Sequence, residues 1–194
     1  MDLRIYKTYK ALSDTMLTLL ETYDFEDISV NKLCEQACVG RGTFYKHFAD
    51  KYEFLSFIVR EQYQTYLDKI PSSIQSNEPA EYYQGLFQIC MDFCEQSPLL
   101  ISSWRQSKNI DTLTKVVSKI VVPDISKRIE QDQKKGYVLP FDSHLTAQLI
   151  CSIMMQTVTW WFTNRDKISR KEVLRQFHNV LSRLISTKMD ASFF

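Results

Sequence analysis

The stretch Ile28-Ser-Val-Asn-Lys-Leu-Cys-Glu-Gln-Ala-Cys-Val-Gly-Arg-Gly-Thr-Phe-Tyr-Lys-His-Phe-Ala-Asp-Lys51 decides how this chain is read. It divides into two short helical segments about a break, followed by the start of a third. Ser29 is placed to cap the first, because its hydroxyl accepts from a free backbone N–H of the opening turn. Val30, Leu33, Cys34 and Ala37 then recur at helical spacing and make one apolar face. Cys38-Val39-Gly40 interrupts the pattern, and Gly40 is free to close a tight turn or to open the next helix. In the second segment, residues 41–47, Phe44 and the following Phe48 point inward, leaving Arg41, Thr43, Tyr45, Lys46 and His47 outward. Asp50 and Glu53 have the spacing of a cap and its reciprocal partner for the next helix. Two helices joined by a turn of about three or four residues form a helix-turn-helix, whose second helix lies in the major groove of DNA. The second helix here is short, basic and aromatic, with no acid, which suits that groove.

These residues resemble the TetR family of bacterial transcriptional regulators. The resemblance runs through Ser29-Val-x-x-Leu-Cys-x-x-Ala-Cys-Val-Gly-Arg-Gly-Thr-Phe-Tyr-x-His-Phe-x-Asp-Lys-Tyr-x-x-Leu55, and the opening Asp2-Leu-Arg4-x-Tyr-Lys7-Thr8-x-x-Ala11-Leu12 is similar to the start of such proteins in low-GC Gram-positive bacteria. It implies an all-α protein of about nine helices. A three-helix reader, residues 1–50, precedes a larger helical body for effector binding and dimerisation, residues 51–194. Two positions depart from the family pattern. Cys38 stands where glycine is usual, at a turn position favouring positive φ, where a Cβ is unfavourable. Gly40 stands where serine or asparagine often caps the recognition helix; glycine caps only slightly less well, but a hydroxyl able to meet a phosphate is missing.

Composition agrees with this frame. A chain of 194 residues fits one or two domains with a substantial core. Glycine (4) and proline (5) are scarce, which favours long helices over strands and turns. The net charge of +1 excludes a nonspecific polycation. Charge is segregated within the reader, however. Glu21, Asp24, Glu26 and Asp27 bunch before it, whereas residues 28–52 hold Lys32, Arg41, Lys46 and Lys51 against only Glu35 and Asp50. Phosphate contact requires a local basic face, not a high overall pI. The chain opens without an apolar signal core and has no membrane-length apolar run, so a soluble, cytoplasmic protein is expected. Five cysteines (34, 38, 90, 94 and 151) without a secretory context do not read as a disulfide framework.

The first helix is expected over residues 3–23, with Leu12, Met16, Leu19, Leu20 and Tyr23 buried and Arg4, Lys7 and Lys10 facing the DNA backbone. A fourth covers 51–69, its inner side marked by Leu55, Ile58, Val59, Gln62, Tyr63 and Tyr66. Pro71 to Pro79 is a loop inside the body. Further helices are expected over 79–95, over 98–106 after the Ser97-Pro98 start, and over 110–134 with a break or bend at Pro123 and an end at Gly136. Two more follow: residues 143–163 after Asp142 or Ser143, and 170–187 after the capping box at Ser169 and Glu172.

The last two helices carry wide apolar stripes, including Leu145, Leu149, Ile153, Met154 and Val158. Such stripes are either the core of one subunit or more than one subunit can cover. The resemblance implies the second: a four-helix interface across a two-fold axis, to which Trp161, Phe162, Phe177, Leu181 and Leu184 are assigned. Doubling the reader on a palindromic site also supplies affinity and register together.

Roles in the reader follow residue by residue. Arg41 is the candidate for a bidentate contact to a guanine edge. Thr43 and Phe44 are placed near a thymine methyl or the backbone, with Phe44 alternatively wholly core. Tyr45, His47 and Lys51 match family positions that contact phosphates, and Lys51 also stands at a helix start, where the dipole favours an anion. Ser29 and Lys32 are placed to clamp the flanking backbone. Gly40, Gly42 and Lys46 complete the DNA-facing set. In the body, Tyr63, Tyr66, Tyr83, Phe87, Met91, Trp104, Met154 and Trp160 are the candidates for lining an effector pocket suited to a hydrophobic or aromatic small molecule. The alternative is ordinary core.

The expected function is a ligand-responsive repressor that binds palindromic operator DNA as a homodimer. The alternative is an activator or regulator controlled by a protein partner, or by thiol or metal chemistry at the cysteine pairs 34/38 and 90/94. No glycine-rich phosphate loop, nucleophile elbow or His-Glu-x-x-His occurs, so no enzyme, cofactor or metal site is expected.

Overall fold

The computed structural model describes residues 3–68, 78–96, 109–139 and 141–185. Among them are eight α-helices: α1 (Leu3–Leu20), α2 (Val30–Gln36), α3 (Arg41–Tyr45), α4 (Lys51–Leu67), α5 (Pro79–Gln96), α6 (Asn109–Lys134), α7 (Ser143–Asn164) and α8 (Arg170–Leu184), with a 3₁₀ turn at Phe25–Asp27. The chain is all-α, as its patterning predicts.

The starts of these helices are set by local chemistry. The Ser29 hydroxyl accepts from Lys32 N at 3.1 Å. Asp50 Oδ1 accepts from the backbone N–H groups of Tyr52 and Glu53, both at 2.8 Å. Glu53 in turn accepts from Ala49 N at 2.6 Å, one residue before the cap itself. Asp142 caps α7 through His144 N and Leu145 N. Ser169 caps α8, but Glu172 turns to Arg175 and Gln176. Gly136, at φ 95°, closes α6 as a residue without Cβ can.

Several boundaries differ from the sequence reading. α1 stops at Leu20, and Tyr23 is 40% exposed instead of buried. α6 continues through Pro123. That proline is exposed, so water can replace the backbone donor it lacks, while Val122, Ile125 and Ile129 hold the other side of the helix in the core. The helix expected over 98–106, Trp104, residues 71–77 and the tail beyond 185 lie outside the described residues, as do the side chains of Tyr66 and Cys94.

The chain packs as two compact units whose limits fall inside α4 and α6. Of the described residues, the first holds 3–62 and 109–116, and the second holds 63–68, 78–96, 117–139 and 141–185. The first compact unit therefore extends past residue 50, the expected end of the reader. In the first unit α1 packs on α2 and α2 on α3. Its core is aromatic. Phe48 lies 4.8 Å from Phe54 and 5.6 Å from Phe44, ring centre to ring centre, and Tyr9 stands 5.3 Å from Phe48 and 4.9 Å from Phe57. In the second unit α5 packs against both α8 and α7, and Phe87 of α5 stacks on Phe177 of α8 at 4.0 Å.

Candidate nucleic-acid interface

The interface begins with what holds α3 in place. Phe44 is completely buried and Phe48 nearly so, and Phe54 of α4 closes the cluster beneath them. Burying Phe44 removes it from the DNA-facing set. Its ring is the anchor of the recognition helix and has no surface left for a thymine methyl. Around that anchor Arg41, Gly42, Thr43, Tyr45, Lys46 and His47 are all exposed. Arg41 and Lys46 form no ion pair among the described residues, so their charges are available to a polyanion. The Arg41 guanidinium stands 6.0 Å from the Tyr45 ring centre, at the outer limit of a cation–π contact.

The turn before α3 carries the one positive φ of a non-glycine residue among the described residues, 53° at Cys38. The fold therefore keeps the left-handed turn conformation despite the Cβ. Gly40 caps α3 in extended conformation with no side-chain bond. A Cβ placed there meets only Thr43 Oγ1, at an ordinary 3.7 Å, and one at Gly42 meets nothing. Cys38 is exposed, whereas Cys34 is buried, and that burial raises its thiol pKa against the lowering effect of Arg41.

Ser29 is exposed, with its hydroxyl engaged in the cap of α2. Lys32 is half-buried, its ammonium 2.9 Å over the centre of the Tyr23 ring. Lys51 departs furthest from expectation. Its ammonium donates to the backbone oxygens of Phe25 and Glu26, both at 2.8 Å, and lies 3.8 Å from the Glu26 carboxylate. Instead of reaching outward, it fastens the 3₁₀ turn to the start of α4. Tyr52 adds to this clamp by donating to Glu26 Oε2 at 2.6 Å, a bond that pushes its phenol pKa up.

Two supports were missed in the sequence. Tyr9 meets the His47 ring edge-on at 5.3 Å and fixes its orientation from α1; its spacing to Leu12 and Met16 was the available signal. Phe54 adjoins Leu55 on α4 and both are buried, so the inner side of α4 is wider than the stripe traced from Leu55.

In the body the expected effector and dimer sets are redistributed. Tyr83, Phe87, Met91 and Met154 are buried and Tyr63 is half-buried, but Trp160 is 51% exposed and lines no interior. Trp161, Phe162, Phe177 and Leu181 are buried within the single chain, so they belong to its core, and Leu184 is half-buried. The indole N–H of Trp161 donates to Ile168 O at 3.2 Å. The large apolar side chains left exposed on α7 and α8 are Leu145, Trp160 and Val180. An open groove of about 620 Å³ between α5 and α8 includes Gln84, Gln88, Arg170, Lys171 and His178, and none of the expected pocket residues. Arg170 there is engaged by Asp92 and Glu95, and Arg175 by Glu172. Among the described residues no cluster of three or more His, Cys, Asp or Glu could hold a metal, and no helix is long and apolar enough to cross a membrane.

With this geometry in place, comparison with known proteins is direct. The family described as bacterial regulatory proteins, tetR family, matches residues 14–56, the segment from α1 into α4. An uncharacterized HTH-type transcriptional regulator of Bacillus subtilis strain 168, YhgD, is 21% identical over 158 residues, covering 78% of this chain and 82% of that protein. Two solved structures share the fold. A TetR-family regulator from Syntrophomonas wolfei has TM-score 0.69 at 19% identity, covering 90% of this chain and 93% of its own. The regulator FadR of Bacillus subtilis, in complex with stearoyl-CoA, has TM-score 0.62 at 19% identity, covering 92% and 98%. Residues 14–56 thus match the tetR family of bacterial regulatory proteins, a helix-turn-helix, DNA-binding segment, and the chain is similar over most of its length to TetR-type transcriptional regulators.

Proposed function

We propose that this regulator is a repressor that binds palindromic operator DNA as a homodimer and lets go when a small, largely apolar effector enters its body. The observation that carries the reading is the division of α3 between one buried ring, Phe44, and a fully exposed remainder: Arg41, Thr43, Tyr45, Lys46 and His47. Such a helix is held rigidly from below and presents donors, positive charge and an aromatic edge outward, the requirements of a major-groove reader. In this reading Arg41 takes a guanine edge, and Tyr45, Lys46, His47 and the 29–32 segment meet the backbone. The reader comprises residues 1–50, and residues 51–194 carry pairing and response.

Pairing is supported by α7, whose exposed side carries large apolar groups beside Gln148, Ser152 and Gln156. It buries Ile150, Cys151, Met154 and Val158, yet Leu145 and Trp160 stay exposed, together with Val180 of α8. A second copy placed two-fold on that face covers them and sets two readers for successive major grooves, about 34 Å apart. Effector control is supported by the buried Tyr83, Phe87, Met91 and Met154, and by the stearoyl-CoA complex of FadR, a protein of the same fold. The effector acts by stabilising a form whose readers no longer match the operator.

The test is selection from random duplex DNA, followed by mobility shifts and light scattering. The expected outcome is an inverted repeat bound by a particle of twice 22.9 kDa. Trp160→Asp should give a monomer that binds only weakly. A wild-type monomer, or enrichment of a single half-site, overturns the reading.

A further inference from the structure

Glycine inside a helix calls for a reason, because its backbone loses more freedom on folding than any other and it brings no side chain to the packing. Gly42 is the second residue of α3, and two common reasons do not apply to it. Its φ is not positive, unlike that of Gly136 at 95°. Nor does another part of the chain press against it. A Cβ built on Gly42 meets no heavy atom within 4 Å, its chain neighbours and the backbone of its own helix aside. Gly40 differs, since it stands outside α3 as the cap, where glycine is well accepted. The space that Gly42 leaves empty is not used by the fold.

The helix itself says where that space lies. Phe44 and Phe48 are buried and hold the inner side. Lys46 N donates to Gly42 O at 3.2 Å and Phe48 N to Phe44 O at 3.0 Å, so the helical turn continues to Phe48. At about 3.6 residues per turn, Gly42 and Lys46 share a side, and it faces away from the two phenylalanines. Gly42, Tyr45 and Lys46 are all exposed. Tyr45 stands edge-on to Phe44, ring centres 5.5 Å apart, and the Arg41 guanidinium lies 6.0 Å from the Tyr45 ring centre. Thr43 Oγ1 lies on the Gly40 side, 3.7 Å from a Cβ built there. The outward face of α3 therefore has a notch at Gly42. Its floor is helix backbone, and Arg41, Thr43, Tyr45 and Lys46 surround it.

DNA presents a group that fits. In the major groove the bases offer hydrogen-bonding edges and one projecting apolar group, the 5-methyl of thymine. A hydrogen-bonding edge calls for a polar side chain, whereas a methyl group calls for open space beside carbon, which the notch and the Tyr45 ring supply. We propose that Gly42 is a specificity-determining residue whose notch receives the 5-methyl group of a thymine in the DNA that α3 reads. This rests on the DNA-reading role of α3 and deepens it. The thymine contact that Phe44 is buried too deeply to make passes to the gap two residues before it.

The probe is the duplex that wild type selects from random DNA, with its thymines replaced one at a time by deoxyuridine, which removes the methyl and keeps the base pair. Dissociation constants are measured by fluorescence anisotropy at one salt concentration for full-length wild type, Gly42→Ala and Gly42→Ser. In wild type, deoxyuridine at the notch position should weaken binding about fourfold, the effect of one buried methyl. Gly42→Ala should bind the thymine duplex about tenfold more weakly, because two methyl groups compete for one space. It should bind more tightly when that same thymine becomes deoxyuridine, so the preference reverses at this position. Gly42→Ser should behave in the same way. Both variants should melt no lower than wild type, since a Cβ at Gly42 meets nothing in the fold. A flat deoxyuridine scan in wild type, variants that bind as tightly as wild type, or a loss that deoxyuridine relieves at no position would each overturn the assignment. So would variants that melt several degrees lower, because the fold would then need the space. If wild type selects no duplex, the DNA-reading role fails and the notch with it. If it selects a duplex and the scan is flat, only the notch fails.

Discussion

The reader and the body use the same side-chain types to opposite ends. In the reader, aromatic rings close a small core completely: Phe25, Phe44 and Phe54 are each no more than 1% exposed, and the polar and basic groups of α3 stand outside it. In the body, large apolar groups are left outside at Leu145, Trp160 and Val180. A region satisfied within itself is a rigid tool. A region with large apolar groups left exposed suits the second subunit proposed above.

The contrast can be tested at several strengths. The largest effect is expected at the anchor. Phe44→Ala should destabilise the reader by about 3–5 kcal/mol, followed as the denaturant midpoint of the first unit, with DNA binding lost through unfolding. A small change would mean that the aromatic cluster does not hold α3. Next, Arg41→Ala should leave stability untouched yet cost about 1–3 kcal/mol at the selected operator and relax its sequence preference. Unchanged affinity and preference in a competition assay would remove Arg41 from base reading. Lys51→Ala separates the clamp from a phosphate contact. Loss of its bonds to Phe25 O and Glu26 O should cost about 1–2 kcal/mol of stability, while the salt dependence of DNA binding keeps its slope. A slope reduced by about one would return Lys51 to the phosphates. The smallest effect is a gain: Cys38→Gly relieves a Cβ at φ 53° and should stabilise the reader by up to about 1 kcal/mol. A loss of stability would show that the thiol side chain contributes more than the turn strain costs.

Much of the local structure was legible before any coordinates. Ser29, Asp50, Asp142 and Ser169 all cap as their spacing implies, because a cap joins groups two or three residues apart. The left-handed turn at Cys38 was legible too, from the family pattern around it. What escaped were contacts between distant residues. Nothing near Lys51 in sequence announces that its ammonium will find a carbonyl at Phe25, and nothing near His47 announces Tyr9.

The sequence by itself determined the all-helical class, most helix starts, the helix-turn-helix and the outward basic set on α3, since each depends on spacing and chemistry within a turn or two of helix. Only the tertiary structure decided which member of each apolar pair faces inward. Trp161 is buried while Trp160 is exposed, Phe44 is closed off from DNA, and Phe177 stacks on Phe87. On α7 the adjacent Trp160, Trp161 and Phe162 are all large and apolar, so composition at these positions does not say which faces out, and the packing of α7 within its unit settles it.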